Sequence, residues 1–239
     1  DRFTSANSIS VGRLLPQAVY PFFAYSRVAQ YDEPMIASVP SGNFGDMMGT
    51  VLAREMGLPI DRILCGVNEN DEFPEFLHND AYVVKPSRKS PSSAMIVSNP
   101  SNFARLIDLY GGHVYDERDE TGNVIHEGIM DKSPDLDAMR KDFWSISVSN
   151  PDHYTAIQEV FERYGIMMEP HGAVGWRALD RFLEGKHERL AVIYETADPG
   201  KFPHEVKKAI GVVPDVPERI AEQSTLTERI YTIDDPPFV

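Results

Sequence analysis

Met35-Ile36-Ala37-Ser38-Val39-Pro40-Ser41-Gly42-Asn43-Phe44-Gly45-Asp46 is the stretch that decides the fold. Met35 to Val39 is a short apolar run of the kind that fills a buried parallel strand. Pro40 ends it because proline has no N–H to give to a ladder. Past the turn, Met47, Met48, Val51, Leu52 and Met56 share one helical face, with Gly57 as the stop and Pro59 just beyond. Asp46 is the expected cap of that helix. Gly42 and Gly45 let the backbone turn sharply, with a positive φ expected at Gly45, and let a ligand approach with no Cβ in the way. Open N–H groups at a helix start, added to the positive end of the helix dipole, form an anion site. The spacing is neither Gly-x-Gly-x-x-Gly nor the Gly-Lys-Ser/Thr of a triphosphate loop, so a single phosphate monoester fits better. An ordinary tight strand-to-helix connection has the same outline, and the turn alone does not separate the two.

Working outward, Arg62 to Val67 is a second strand, and strand–helix–strand in this order indicates a parallel, doubly wound α/β sheet. Ligands of such sheets bind beyond the carboxyl ends of the strands, where the Gly42–Gly45 turn lies. Leu190 to Tyr194 is a third strand, and Thr196-Ala197-Asp198-Pro199-Gly200-Lys201 leaves its carboxyl end on the same side. Upstream, Thr4 to Arg13 is a polar turn feeding a helix with Leu14, Leu15, Ala18, Val19, Phe22 and Phe23 at helical spacing. Pro21 predicts a kink there. Residues 71–102 read as irregular, with a basic cluster from Lys85 to Lys89 that suits a solvated loop. Asn102 caps a short helix from Phe103 to Tyr110. Residues 115–165 read as an acidic, turn-rich stretch followed by two helices, Leu136 to Trp144 and Asp152 to Tyr164, forming an inserted helical lobe. The main domain is then 1–114 with 166–239. A last helical start, Met168 to Ala173, places His171 in a first turn, where packing suits it better than base catalysis.

The 239 residues suffice for a real core, and 42% hydrophobic with 25% charged content is that of an ordinary globular protein. A formal net charge of −14 argues against nucleic acid and anionic membranes as partners, though not against a small anion that meets only its local field. No apolar run reaches membrane-spanning length, and no signal peptide is visible. A single cysteine, Cys65, lies in an apolar run, which suits a buried thiol and a reducing cytoplasm. Nothing calls for a metal. The chain opens Asp1-Arg2-Phe3 without methionine, as expected of a processed chain or a piece of something longer.

Five stretches in order carry a resemblance: Ser5-Ala6-Asn7-Ser8-Ile9 with Arg13; Val39 to Asp46; Asn99-Pro100-Ser101-Asn102-Phe103; Glu169-Pro170-His171-Gly172-Ala173-Val174; and Glu195-Thr196-Ala197-Asp198-Pro199-Gly200-Lys201-Phe202. Together they resemble the carboxyl-terminal half of the threonine synthases, pyridoxal-phosphate (PLP) enzymes of the tryptophan-synthase-like fold type II. The resemblance implies that Gly42, Asn43, Phe44 and Gly45 hold the cofactor phosphate and that Thr196 faces the pyridine nitrogen. A hydroxyl there suits a neutral ring nitrogen, where a carboxylate would protonate it. It further implies that Ser8 and Arg13, with Asn43, grip the phosphate of O-phospho-L-homoserine. Asp198 and Gly200 depart from the family's usual histidine and alanine.

The lysine that forms the Schiff base with the cofactor belongs, in the family, to an amino-terminal half. The lysines here (85, 89, 132, 141, 186, 201, 207 and 208) all sit in polar stretches, so no catalytic residue is assigned within this chain. The resemblance thus implies a partner, the missing amino-terminal half, an inactive chain in its absence, and self-association through the uncovered face. Two alternatives remain: a fragment of a related PLP dehydratase, which needs no second phosphate site, and a non-catalytic phosphate-binding α/β module.

Overall fold

The computed structural model describes residues 7–185, 189–223 and 225–229. In chain order the elements are α1 (Val11–Leu14), a 3-10 turn (Leu15–Ala18), α2 (Val19–Val28), β1 (Met35–Pro40), α3 (Gly45–Glu55), β2 (Ile60–Val67) and α4 (Glu72–Asn79). Then come α5 (Phe103–Leu109), β3 (His113–Arg118), β4 (Val124–Lys132), α6 (Leu136–Asp142), β5 (Phe143–Ser147), α7 (Asn150–Tyr164) and α8 (Pro170–Leu183). β6 (Ala191–Ile193), α9 (Pro203–Ile210) and α10 (Glu218–Gln223) come last among the described residues. Among the described residues four strands form a parallel sheet in the order β5-β2-β1-β6, and β3 and β4 form a separate antiparallel hairpin. The α/β class and the parallel sheet read from the sequence are therefore observed.

All six residues of β1 are buried because helices cover both faces of the sheet. The period of two sorts them. Met35, Ala37 and Val39 join Met47, Met48 and Val51 of α3 in the main core, while Ile36 and Leu64 face Ala178 of α8 on the other side. Small residues bring α8 close. A Cβ on Gly66 would lie 2.8 Å from Val174 Cγ1, and the Ser38 hydroxyl donates to the Gly175 carbonyl at 2.6 Å. On the opposite face the 3-10 turn presses against α3, where a Cβ on Gly49 would lie 2.7 Å from Gln17 Cβ and 2.8 Å from its carbonyl carbon. That close approach carries Ser8 and Arg13 to the start of α3.

Four expectations are corrected. Residues 115–165 are not a helical insertion: they supply most of the hairpin and the edge strand β5, which pairs with β2 from Ile63↔Phe143 to Val67↔Ser147. The division into 1–114 with 166–239 and 115–165 thus cuts through the sheet. Leu136, Met139, Phe143 and Trp144 fit a helical period, so the sequence pattern runs unbroken across a junction where the backbone turns extended at Phe143. Second, the first helix breaks at Leu15–Ala18 rather than at Pro21, which occupies the first turn of α2, where its missing N–H costs no hydrogen bond. Third, α4 lies within the stretch read as irregular; Pro74 sits in its first turn, and Phe73, Phe76 and Leu77 bury its apolar face. Fourth, the cap of α3 is Phe44, not Asp46.

Candidate functional site

β1 and β6 end on the same edge of the sheet, and a cleft of about 1030 Å³ opens there. Its walls include Ser8, Arg13, Gly42, Asn43, Gly45, Asp46, Ala94, His171, Glu195 and Thr196. Of the residues named from the sequence, the structure thus gathers Ser8, Arg13, Gly42, Asn43, Gly45 and Thr196 around one space. Phe44 is not on the wall. Its side chain is buried, edge-on to Phe73 at 5.0 Å and Phe103 at 6.3 Å, so only its backbone is near the turn.

Phe44 is also the residue in the left-handed conformation, at φ 60° and ψ 24°. This overturns the positive φ expected at Gly45. The penalty for a bulky residue there is roughly 1–2 kcal/mol, and the buried aromatic cluster offsets it. The glycines serve proximity instead. A Cβ on Gly42 would lie 2.9 Å from the Ala94 carbonyl oxygen, and one on Gly45 would lie 3.1 Å from both Ser8 Cβ and Gln17 Nε2. The first turn of α3 leaves the N–H groups of Gly45 and Asp46 without intrahelical acceptors, whereas that of Met47 donates to Asp46 Oδ1 at 2.8 Å. Burial pushes the Asp46 carboxyl up to about 6, only partly countered by that hydrogen bond.

The β6 side is built differently. Glu195 accepts the Glu169 N–H at 3.0 Å and lies so close to the start of α8 that a Cβ on Gly172 would come within 1.7 Å of its Oε2. Its side chain meets solvent at the cleft, yet the protein atoms crowding the carboxyl push its pKa up to about 8, with Glu169 and Asp198 adding repulsion. Asp198 caps its own turn by accepting the Gly200 N–H at 2.8 Å. A Cβ on Gly200 would lie 2.4 Å from the Asp215 carbonyl oxygen, so glycine at this departure from the family pattern matches the chain packed over it.

The sequence reading missed the roof of the cleft. Ala94 and Met95 belong to it, held by an N–H from Ala94 to His171 Nε2 at 3.1 Å. His171 is buried, and its other nitrogen meets Glu169 Oε2 at 2.5 Å, so this first-turn histidine pins the roof. Further along, Asn70 exchanges two hydrogen bonds with the Arg88 backbone, Asn68 donates to Ser92, and the Ser92 hydroxyl lies 3.0 Å from His153 Nε2. His153 Nδ1 lies 2.8 Å from the Ser149 carbonyl, and burial holds this imidazole below its usual range. The only available signal was the density of Asn and Ser beyond a strand end. The basic cluster is less solvated than expected: Lys85 pairs with Asp71 and Glu75, and Arg88 with Asp71. Cys65 is buried, which pushes its thiol up to about 12, as suits a structural role.

Among the described residues, none that lines the cleft is a lysine. Among the described residues no cluster of side chains could hold a metal ion, and no helix is long and apolar enough to cross a membrane. Ser5, Ala6 and Lys186 lie outside the described residues.

Residues 172–237 match the family model described as threonine synthase, C-terminal. The threonine synthase of Corynebacterium glutamicum is 34% identical over 230 residues, which is 92% of this chain and 48% of that protein. The chain belongs to the threonine synthase family. The structure of the PLP-bound threonine synthase from Brucella melitensis superposes with a TM-score of 0.79 at 29% identity, covering 94% of this chain and 48% of the other. That of the Escherichia coli threonine synthase gives 0.77 at 31% identity, covering 94% and 46%. The chain spans about half the length of the curated relatives it matches.

Proposed function

We propose that this chain is the carboxyl-terminal part of a cytoplasmic threonine synthase, a PLP-dependent carbon–oxygen lyase that turns O-phospho-L-homoserine and water into L-threonine and phosphate. The observation that carries the reading is the single cleft whose walls include both phosphate-type turns, Ser8 with Arg13 and Gly42 with Gly45, together with Thr196. The residues present suit the cofactor. Gly42 leaves room where any Cβ would meet the Ala94 carbonyl, and α3 begins with open N–H groups beside it. Bound there, PLP supplies the electron sink that the loss of phosphate and the addition of water at the β carbon require.

This chain's own contribution is binding and orientation. Gly42, Asn43 and Gly45, with the Phe44 backbone, take the cofactor phosphate; Thr196 takes the ring nitrogen as a hydroxyl partner. Ser8, Arg13 and Asn43 take the substrate phosphate, and the guanidinium supplies a charge-assisted contact. The lysine that anchors the cofactor comes from the missing amino-terminal half. Val11, Leu15, Val19 and Phe23 recur every fourth residue along the first helical segment and are all exposed, an apolar stripe suited to such a partner. Without it the chain is inactive, and the same stripe favours self-association.

The test is to incubate the isolated chain with PLP, reduce with borohydride and map modified lysines by mass spectrometry. The expected result is no stoichiometric adduct and no turnover of O-phospho-L-homoserine, with both restored by the upstream half. A single stoichiometric adduct with turnover would show that the site is complete in this chain and overturn the fragment reading.

A further inference from the structure

The Asn99-Pro100-Ser101-Asn102-Phe103 stretch has no role in the site as described so far. Asn102 precedes α5, as expected of a cap, but its side chain makes no capping bond. It is wholly buried, away from the cleft wall, and its amide is spent between the two anion turns. Nδ2 donates to the Asn43 carbonyl at 2.8 Å and approaches Ser8 at Oγ (3.3 Å) and at the carbonyl (3.4 Å). Oδ1 accepts from Arg105 Nη1 at 2.5 Å, and Arg105 Nη2 donates to the Ile9 carbonyl at 2.6 Å. The partners fix the amide's orientation. Reversed, its oxygen would face two carbonyls and its NH2 would face a guanidinium. The neighbouring Ser101 N–H donates to Asn43 Oδ1 at 3.2 Å, so one helix start holds Asn43 by both its side chain and its carbonyl.

A buried side chain that joins two turns otherwise separate in sequence, with Arg105 clamping the far end of one of them, does what a spacer does. We propose that Asn102, backed by Arg105, is a positioning residue that holds the Ser8 turn and the Gly42–Gly45 turn at one fixed separation, so that two phosphates are received in register. This rests on the threonine synthase reading, in which one turn takes the cofactor phosphate and the other the substrate phosphate.

The test uses the full-length protein with Asn102→Ala and Asn102→Asp. The second is isosteric and can still pair with Arg105, but it lacks the bridging N–H. Leu106→Ala is the control: buried in the same helix, outside both turns, and costly to stability alone. Three quantities are read: the KM for O-phospho-L-homoserine, the Kd for PLP, and amide hydrogen exchange at residues 8–14 and 43–46 without ligand. Both Asn102 variants are expected to raise KM and Kd together, each by about tenfold, and to speed exchange in both turns. Leu106→Ala is expected to lower Tm while KM and Kd stay within about twofold of wild type. If the Asn102 variants lose stability as the control does, yet leave both constants and both turns unchanged, or move only one turn, the positioning role is overturned. Failure of the wild-type protein to bind either phosphate compound would refute the functional reading instead. The exchange data would still judge the brace.

Discussion

The two strand ends that meet at the cleft are built unequally. β1 lies between two strands, all six of its residues are buried, and its turn is packed against α5, the 3-10 turn and the roof at Ala94. β6 is three residues long, sits at the sheet's edge, and is only half-buried; beyond it Glu195 and Thr196 still meet solvent. The contrast teaches which side of the cleft core packing fixes. The Ser8 and Gly42–Gly45 turns are over-determined by their packing, whereas the β6 side is loosely held, and under the proposed function it is the side that further protein would complete.

The largest expected contrast is in stability. Phe44→Ala removes a fully buried ring from the aromatic cluster and should cost about 3–5 kcal/mol by urea denaturation, while Val192→Ala in β6 should cost roughly 1 kcal/mol or less. Equal losses would break the distinction between a closed and an open side. Next comes substrate recognition on the closed side. In the full-length enzyme Arg13→Ala should lower kcat/KM by about one to two powers of ten with the cofactor absorbance intact. Unaltered kinetics with lowered stability would make Arg13 a packing residue.

Gly45→Val comes third. A branched side chain there would press on Ser8 and Gln17, each already 3.1 Å from a bare Cβ, and should weaken PLP binding by about tenfold in a fluorescence titration. Unchanged affinity would remove this turn from the cofactor site.

The smallest effect belongs to the open side. Glu195 titrates near 8 when folded and from 4.5 in its ordinary state, so between those values the folded chain holds a proton that the unfolded chain has lost. Stability therefore falls as pH rises through that window. Glu195→Gln should flatten the fall and raise Tm at pH 8 by about 2 °C relative to wild type, solvent screening keeping the gain small. A pH profile parallel to wild type would mean that solvent already relieves Glu195.

Where one element's local pattern and its tertiary environment agree, the sequence was legible. The apolar run before Pro40, the two glycines after it and the periodic methionines beyond sufficed for strand, turn and helix, and hence for a parallel sheet, at whose carboxyl edge the cleft opens. Five stretches in order sufficed for the family. By contrast, Leu136–Trp144 has one continuous helical period, and only pairing with β2 turns its end into a strand. Phe44 takes the left-handed position that glycine was expected to fill because Phe73 and Phe103, distant in sequence, bury its ring. Asn102 reads as a cap because capping is local, but its amide is used between Ser8 and Asn43, at separations of 94 and 59 residues. Sequence fixes what neighbouring residues settle among themselves: backbone reach, hydrophobic period, the absence of a Cβ. Which buried polar group meets which partner across such distances is decided only when the chain closes on itself, because its hydrogen bonds must then be found wherever packing has placed the donors.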